Sequence, residues 1–379
     1  MTTWLKKNLE GDYQIWTVIA ALSLISIIVV ASASGRLAVQ GDGNIFFLVV
    51  KHSIYMSIGL AAMWFFHRFD YHKFAVFSNI GVVLSVILLL YAYKFEHGIN
   101  NANRWIHLGG MTFMPSDIAK LSLITNLAFM LAKRQHLEYR FNDVVPMAIK
   151  IIIVCICIAL TNVSTSALLF TTCFLLMYIG RVPKKYLAMV LIGLFFVGTI
   201  AVMLGLGTRM ETAKNRIINF ATNYNGKKKK DADKDTDYQI ERSYYAIANG
   251  GLTGKGPGKS QQRYFLSESE SDFIYAIIIE EWGMIGGLFV MSLYLWFLYR
   301  GMKAVDSSGR AFGGLLSAGL TFSLVIQAMV HMGVATGLGP VTGQPLPLLS
   351  MGGSSLLFTG AMIGIIISVS KDKVRDAVL

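Results

Sequence analysis

Apolar residues recur in runs of about twenty along almost the whole of this 379-residue chain. One such run is the length of helix that crosses the hydrocarbon core of a bilayer. Only 15% of the residues are charged and 54% are hydrophobic, whereas a soluble domain carries about a quarter charged residues. The pattern predicts an all-α polytopic integral membrane protein of about ten transmembrane helices. The spans are expected near residues 15–34, 46–66, 74–93, 115–132, 144–161, 165–180, 186–206, 272–299, 311–335 and 353–370.

Basic clusters set the orientation, because cytoplasmic loops hold an excess of Lys and Arg. Lys6/Lys7, Arg68/Lys73, Lys133/Arg134/Arg140, Arg181/Lys184/Lys185, Arg300/Lys303/Arg310 and Lys371/Lys373/Arg375 fall in alternate connections. Both termini are therefore expected to be cytoplasmic. The chain reads as a single membrane domain, residues 1–379, with a large extracytoplasmic loop at 207–271 between spans seven and eight. Lys6 and Lys7 ahead of an apolar stretch ending in Ala31-Ser32-Ala33 imitate a signal peptide, but the stretch is longer than most signal cores and is read as uncleaved.

The net charge of +12 belongs mostly to these loop clusters, so no nucleic-acid partner is expected. Cys155, Cys157 and Cys173 lie inside apolar segments without metal-ligand spacing, which supports neither a disulfide framework nor a zinc site. The run from Lys227 to Asp235 reads as a solvated segment, with membrane lipid headgroups as its alternative contact.

Function should gather on the extracytoplasmic face, where residues 94–115, the 207–271 loop and the Gly/Pro-rich stretch from Gly337 to Pro347 are too irregular for plain connections. Asn103-Arg104-Trp105-Ile106 is followed by Pro115-Ser116-Asp117-Ile118-Ala119-Lys120, where Ser116 is a candidate helix cap. Lys120 lies more than a turn inside its span, so it either binds an anion in a polar cavity or snorkels beside Asp117. Arg104 has a similar but more exposed position. Trp105 suits an interface belt and a stacked sugar or lipid equally. Gln344 lies in the third irregular stretch.

The segment from Gly250 to Ser260 ends in Gly-Lys-Ser, but Thr253 occupies the first glycine position of a phosphate loop, so nucleotide binding is not expected. Its backbone amides, with Lys255, Lys259 and Arg263, can still approach a pyrophosphate. Asp272, where the loop re-enters apolar sequence, is either a general base or metal ligand, or a helix N-cap. Glu280 and Glu281 lie two turns deeper in the span.

The motifs Asn103-Arg104-Trp105-Ile106, Pro115 to Lys120, Ser271-Asp272-Phe273-Ile274-Tyr275-Ala276 and Pro345 to Ser355 occur in an order and spacing that resemble the SEDS (shape, elongation, division and sporulation) family of FtsW and RodA, nearly end to end. The resemblance implies peptidoglycan glycosyltransfer: a lipid-linked nascent glycan is joined to lipid II, with release of lipid pyrophosphate. It implies that Asp272 activates the acceptor hydroxyl, directly or through a divalent cation (Mn²⁺ or Mg²⁺). Lys120 and Arg104 match cavity positions suited to the pyrophosphate, and Trp105 looks like a rim residue.

Tyr264 to Ser271 and the compact length look more like FtsW than RodA, which implies septal location, other division proteins as neighbours and a class B penicillin-binding protein as transpeptidase partner. Asp117 stands where the family often has Glu, Asn162 where it has an acid, Thr112 where some FtsW proteins have Arg, and His331 where Asn is frequent. The competing readings are a lipid-linked precursor flippase, which needs polar groups facing both sides, and a non-catalytic scaffold of the division machinery.

Overall fold

The structure, a computed structural model, describes residues 9–35, 45–95, 105–108, 111–135, 137–203, 212, 214–218, 220–221 and 234–371. Arg104, the Lys6/Lys7 cluster and residues 227–233 of the charge run lie outside them.

Among the described residues, ten apolar helices stand at the ten expected places. They are α1 (Tyr13–Ala33), α2 (Ile45–Phe66), α3 (His72–Phe95), α4 (Pro115–Ala132), α5 (Phe141–Ala159), α6 (Val163–Ile179), α7 (Lys184–Met203), α9 (Ile274–Ser307), α10 (Ala311–Ala335) and α11 (Gly353–Ser370). Helix α8 (Lys234–Gly250) lies within the long loop, and a short hairpin, β1 (Ile106–Leu108) with β2 (Met111–Phe113), precedes α4. Among the described residues, α1, α2, α3, α5, α9, α10 and α11 are long and apolar enough to cross a membrane, and α6 is a shorter apolar helix. Phe46, Phe77, Ile80 and Phe195 are all more than 60% exposed; such a surface requires an apolar solvent.

Consecutive helices alternate in direction, so the bundle has a hairpin end, where α4, α6, α9 and α11 begin, and a basic end. Helices α10 and α11 are the most enclosed. Helix α11 packs along α2, and at Gly59 and Gly360 the backbones approach so closely that a Cβ on Gly360 would lie 2.0 Å from the Gly59 carbonyl oxygen, the small-residue contact of membrane helices. At the basic end the carboxylate of Asp12 accepts from the Gln14 amide at 2.9 Å, capping α1, and pairs with Arg300 of α9.

Two local expectations change. Helix α4 has Met114 at its N-cap and Pro115 at its first position, so Ser116 lies inside the helix rather than capping it; proline there needs no amide partner. The span expected at 272–299 is broken: Gly283, with φ 71° and ψ −175°, interrupts α9.

Candidate functional site at the hairpin end

Helix α4 carries Lys120 and Asp117 into the bundle on one face, three residues apart. Their side chains are 11% and 6% exposed, the ammonium lies 2.9 Å from Asp117 Oδ1, and it donates to Gln327 Oε1 of α10 at 3.3 Å. Gln327 Nε2 donates to the Pro345 carbonyl at 2.8 Å. One turn on, His331 Nδ1 is 2.8 Å from the Gln344 carbonyl oxygen, and Gln344 Nε2 donates to Thr165 Oγ1 of α6 at 2.8 Å. Asn162 caps α6 by accepting from the Thr165 amide at 3.2 Å. A polar layer thus runs across α4, α10, the 344–345 turn and α6.

Four buried polar atoms in this layer have no protein partner: Ser116 Oγ, Asp117 Oδ2, Asn162 Nδ2 and His331 Nε2. Buried polar atoms are nearly always satisfied, so their grouping marks a place for water or a polar ligand. Lys120 has used two of its three N–H donors.

The layer connects to Asp272. Ser350 Oγ accepts from the Leu346 amide and donates to the Ser271 carbonyl, both at 2.7 Å, while the Met351 amide donates to the Glu270 carbonyl at 2.9 Å. Asp272 is half-buried; Oδ1 accepts from Ser271 Oγ at 3.2 Å, and the N-cap of α9 is Phe273. The capping position therefore belongs to Phe273. Trp105 is 37% exposed beside β1.

The glycine-rich segment packs into the break in α9. Amides of Lys255 and Gly256 donate to the carbonyls of Glu280 and Glu281 at 3.0 and 2.9 Å, and amides of Met284 and Ile285 donate to those of Gly251 and Leu252 at 2.9 and 3.2 Å. Irregular backbone within an apolar segment requires such internal partners. Both acids are fully buried. Glu280 accepts from Lys255 Nζ and from the amides of Gln261 and Gln262, each at 3.2 Å, and from Ser260 Oγ. Glu281 accepts from Ser32 Oγ and from the Ser260 amide at 3.2 Å.

Of the three cations expected to face a pyrophosphate, Lys255 is engaged by Glu280, Arg263 donates to the Ser32 carbonyl at 3.0 Å, and Lys259 is exposed. The structure brings Lys120 and Gln344 into one layer and ties that layer to the residue before Asp272. Gln327 and Thr165 complete it. A lone amide deep in an apolar run, as at Gln327, is the signal that points to such a position.

Replacing Lys120 by Met is expected to destabilise the protein by about 3 kcal/mol, because it strands a buried carboxylate. The double variant Lys120→Met/Asp117→Leu should recover most of the loss in thermal unfolding of the solubilised protein; equal losses would show that the pair is not coupled.

The family model for FtsW, RodA and SpoVE, described as "Cell cycle protein", matches residues 12–375. The probable peptidoglycan glycosyltransferase FtsW of Geobacter metallireducens is 30% identical over 97% of this chain and 96% of its own length. Stage V sporulation protein E of Bacillus subtilis is 30% identical over 98% and 99%. The fold is similar to that in a solved structure of a peptidoglycan synthase complex (TM-score 0.76, 22% identity, 96% and 98% of the two chains) and to the crystal structure of Thermus thermophilus RodA (0.68, 23%, 96% and 97%). With the match extending through nearly every residue of the bundle, the chain belongs to the FtsW/RodA/SpoVE family, the SEDS proteins.

Proposed function

We propose that this protein polymerises peptidoglycan glycan strands from lipid II at its hairpin end. The observation that carries the reading is the layer of unpartnered buried polar atoms around Lys120 and Gln327, linked through Ser350 to the residue preceding Asp272. The name peptidoglycan glycosyltransferase given to the Geobacter relative supports it.

In this reaction a hydroxyl of the acceptor sugar attacks the anomeric carbon of the donor. The new glycosidic C–O bond forms as the bond to the lipid diphosphate breaks. Asp272 takes the hydroxyl proton as general base, a role worth roughly 10²–10⁴-fold. The remaining N–H of Lys120 faces the charge that develops on the departing diphosphate, where a positioned cation lowers the barrier most. Asp117 and Gln327 hold that ammonium inside an apolar helix. Trp105, beside β1 at the same end, suits the sugar groups of the substrate, and the cationic Arg104 that precedes it in sequence suits the phosphates.

Among the described residues there is no group of three or more His, Cys, Asp or Glu side chains able to hold a metal. Asp272 is the residue that would hold a Mg²⁺ or Mn²⁺ ion here. Such an ion would supply charge neutralisation of the diphosphate.

The excess of Lys and Arg in the basic loops supports a topology with the hairpin end outside, both termini in the cytoplasm and ten spans in the bacterial plasma membrane. A polymerase makes no cross-links, so a class B penicillin-binding protein is the partner. The fold shared with a chain of the peptidoglycan synthase complex supports that pairing. The relatives named FtsW favour the septum and neighbouring division proteins.

The test reconstitutes the purified protein, with and without the transpeptidase, in vesicles holding labelled lipid II. Glycan ladders are expected from the folded protein. Lipid II that crosses the bilayer without polymer would establish the flippase instead, and polymer formed only by an added glycosyltransferase would establish the scaffold.

A further inference from the structure

A second intramembrane lysine lies away from this site, near the basic end. Lys150 of α5 reaches between α3 and α4, where its ammonium donates to Asn79 Oδ1 at 2.7 Å and Asn126 Oδ1 at 2.9 Å, with Met130 Sδ at 3.7 Å. Asn126 Nδ2 in turn donates to Asn79 Oδ1 at 2.9 Å and Ser78 Oγ at 3.0 Å. These bonds turn both amide oxygens toward the ammonium. They solvate the charge without neutralising it.

Lys120, Lys255 and Arg300, by contrast, each meet a carboxylate, that of Asp117, Glu280 and Asp12 respectively. Among the described residues Lys150 has no carboxylate within ion-pair distance. Asn79 lies six residues beyond Lys73, and Asn126 seven before Lys133, which places the knot about 10 Å inside the ring of basic residues at 1.5 Å per residue. Lys150 is half-buried, and its surroundings face lipid: Ile149 and Ile153 on α5 and Ile80 and Val83 on α3 are 45–64% exposed. A charge at an apolar, lipid-facing surface is costly unless a counter-charge meets it.

We infer that the α3/α5 face around Lys150 docks a transmembrane helix of a partner protein bearing a single Asp or Glu at this depth. Charge complementarity selects the occupant. A carboxylate at that depth lies on a helix, because lipid phosphates stay at the interface, and the branched apolar residues around Lys150 give such a helix a surface to pack on. The asparagine oxygens hold the ammonium in place before the partner arrives, so little side-chain freedom is lost on docking.

The test uses the whole protein, donor-labelled, in phosphatidylcholine vesicles, with acceptor-labelled Leu/Ala transmembrane peptides carrying either Asp or Asn at the matching depth. Energy transfer should report association at least about tenfold stronger for the Asp peptide than for the Asn peptide. Lys150→Gln, which keeps donors for both asparagines, should abolish the difference while leaving thermal unfolding unchanged. If that variant unfolds, Lys150→Arg, which keeps the charge, should retain the preference in its place. Equal association of the two peptides with wild type would overturn the inference. So would phosphatidylglycerol that collects around wild type but not Lys150→Gln and displaces the Asp peptide, since the occupant would then be an anionic lipid.

Discussion

Asp272→Asn is expected to reduce lipid II polymerisation by roughly 10²–10⁴-fold, the range removed with a general base, while leaving thermal unfolding unchanged. Asparagine has nearly the same shape and keeps an oxygen to accept from Ser271 Oγ, the bond made at 3.2 Å. It cannot take a proton from an attacking hydroxyl. The N-cap of α9 is Phe273, so the variant removes no helix cap and the loss is a loss of chemistry. Initial rates in reconstituted membranes, beside a melting curve, check both halves; an active variant would remove Asp272 from the proton transfer.

Gly283→Ala is expected to leave little folded protein, a cost above about 4 kcal/mol that belongs to the largest class of single substitutions. The conformation at φ 71° and ψ −175° is open essentially to glycine alone. A Cβ would also lie 2.2 Å from the Leu252 carbonyl oxygen and 2.5 Å from the Gly254 amide nitrogen, backbone atoms that cannot turn aside. Moving them breaks the pairing of residues 251–256 with the gap in α9 and strips donors from the buried carboxylates of Glu280 and Glu281. By contrast, Gly251 at φ 54° has open space around its Cβ position, so Gly251→Ala should cost only about 1–2 kcal/mol, the backbone penalty alone. Size-exclusion profiles of the two variants extracted from membranes compare them directly, and a folded Gly283→Ala would show that the break in α9 does not need glycine.

The apolar helices were legible because the signal for each is local: twenty apolar residues have one low-energy conformation in a bilayer. Lys120 and Asp272 stood out for the complementary reason, as charges where apolar sequence makes charge expensive. The break at Gly283 was hidden, because Trp282-Gly283-Met284 reads as ordinary span and the residues that stabilise the gap arrive from thirty positions upstream. The same distance concealed the purpose of the glycine-rich segment and of Glu280 and Glu281. Lys150, Asn79 and Asn126 lie on three helices and form a knot only when these pack together. Helix α8 was missed for want of an apolar run; it lies against the bundle through Ser243, which donates to the Ala335 carbonyl at 2.8 Å.

The most direct test of the account supplies labelled lipid II to one face at a time of vesicles in which the protein has a single, protease-mapped orientation. The account predicts glycan polymer when lipid II has access to the hairpin end, and none when it is confined to the face bearing the basic loops. Polymer formed at equal rates from either face, or only from the basic face, would contradict it.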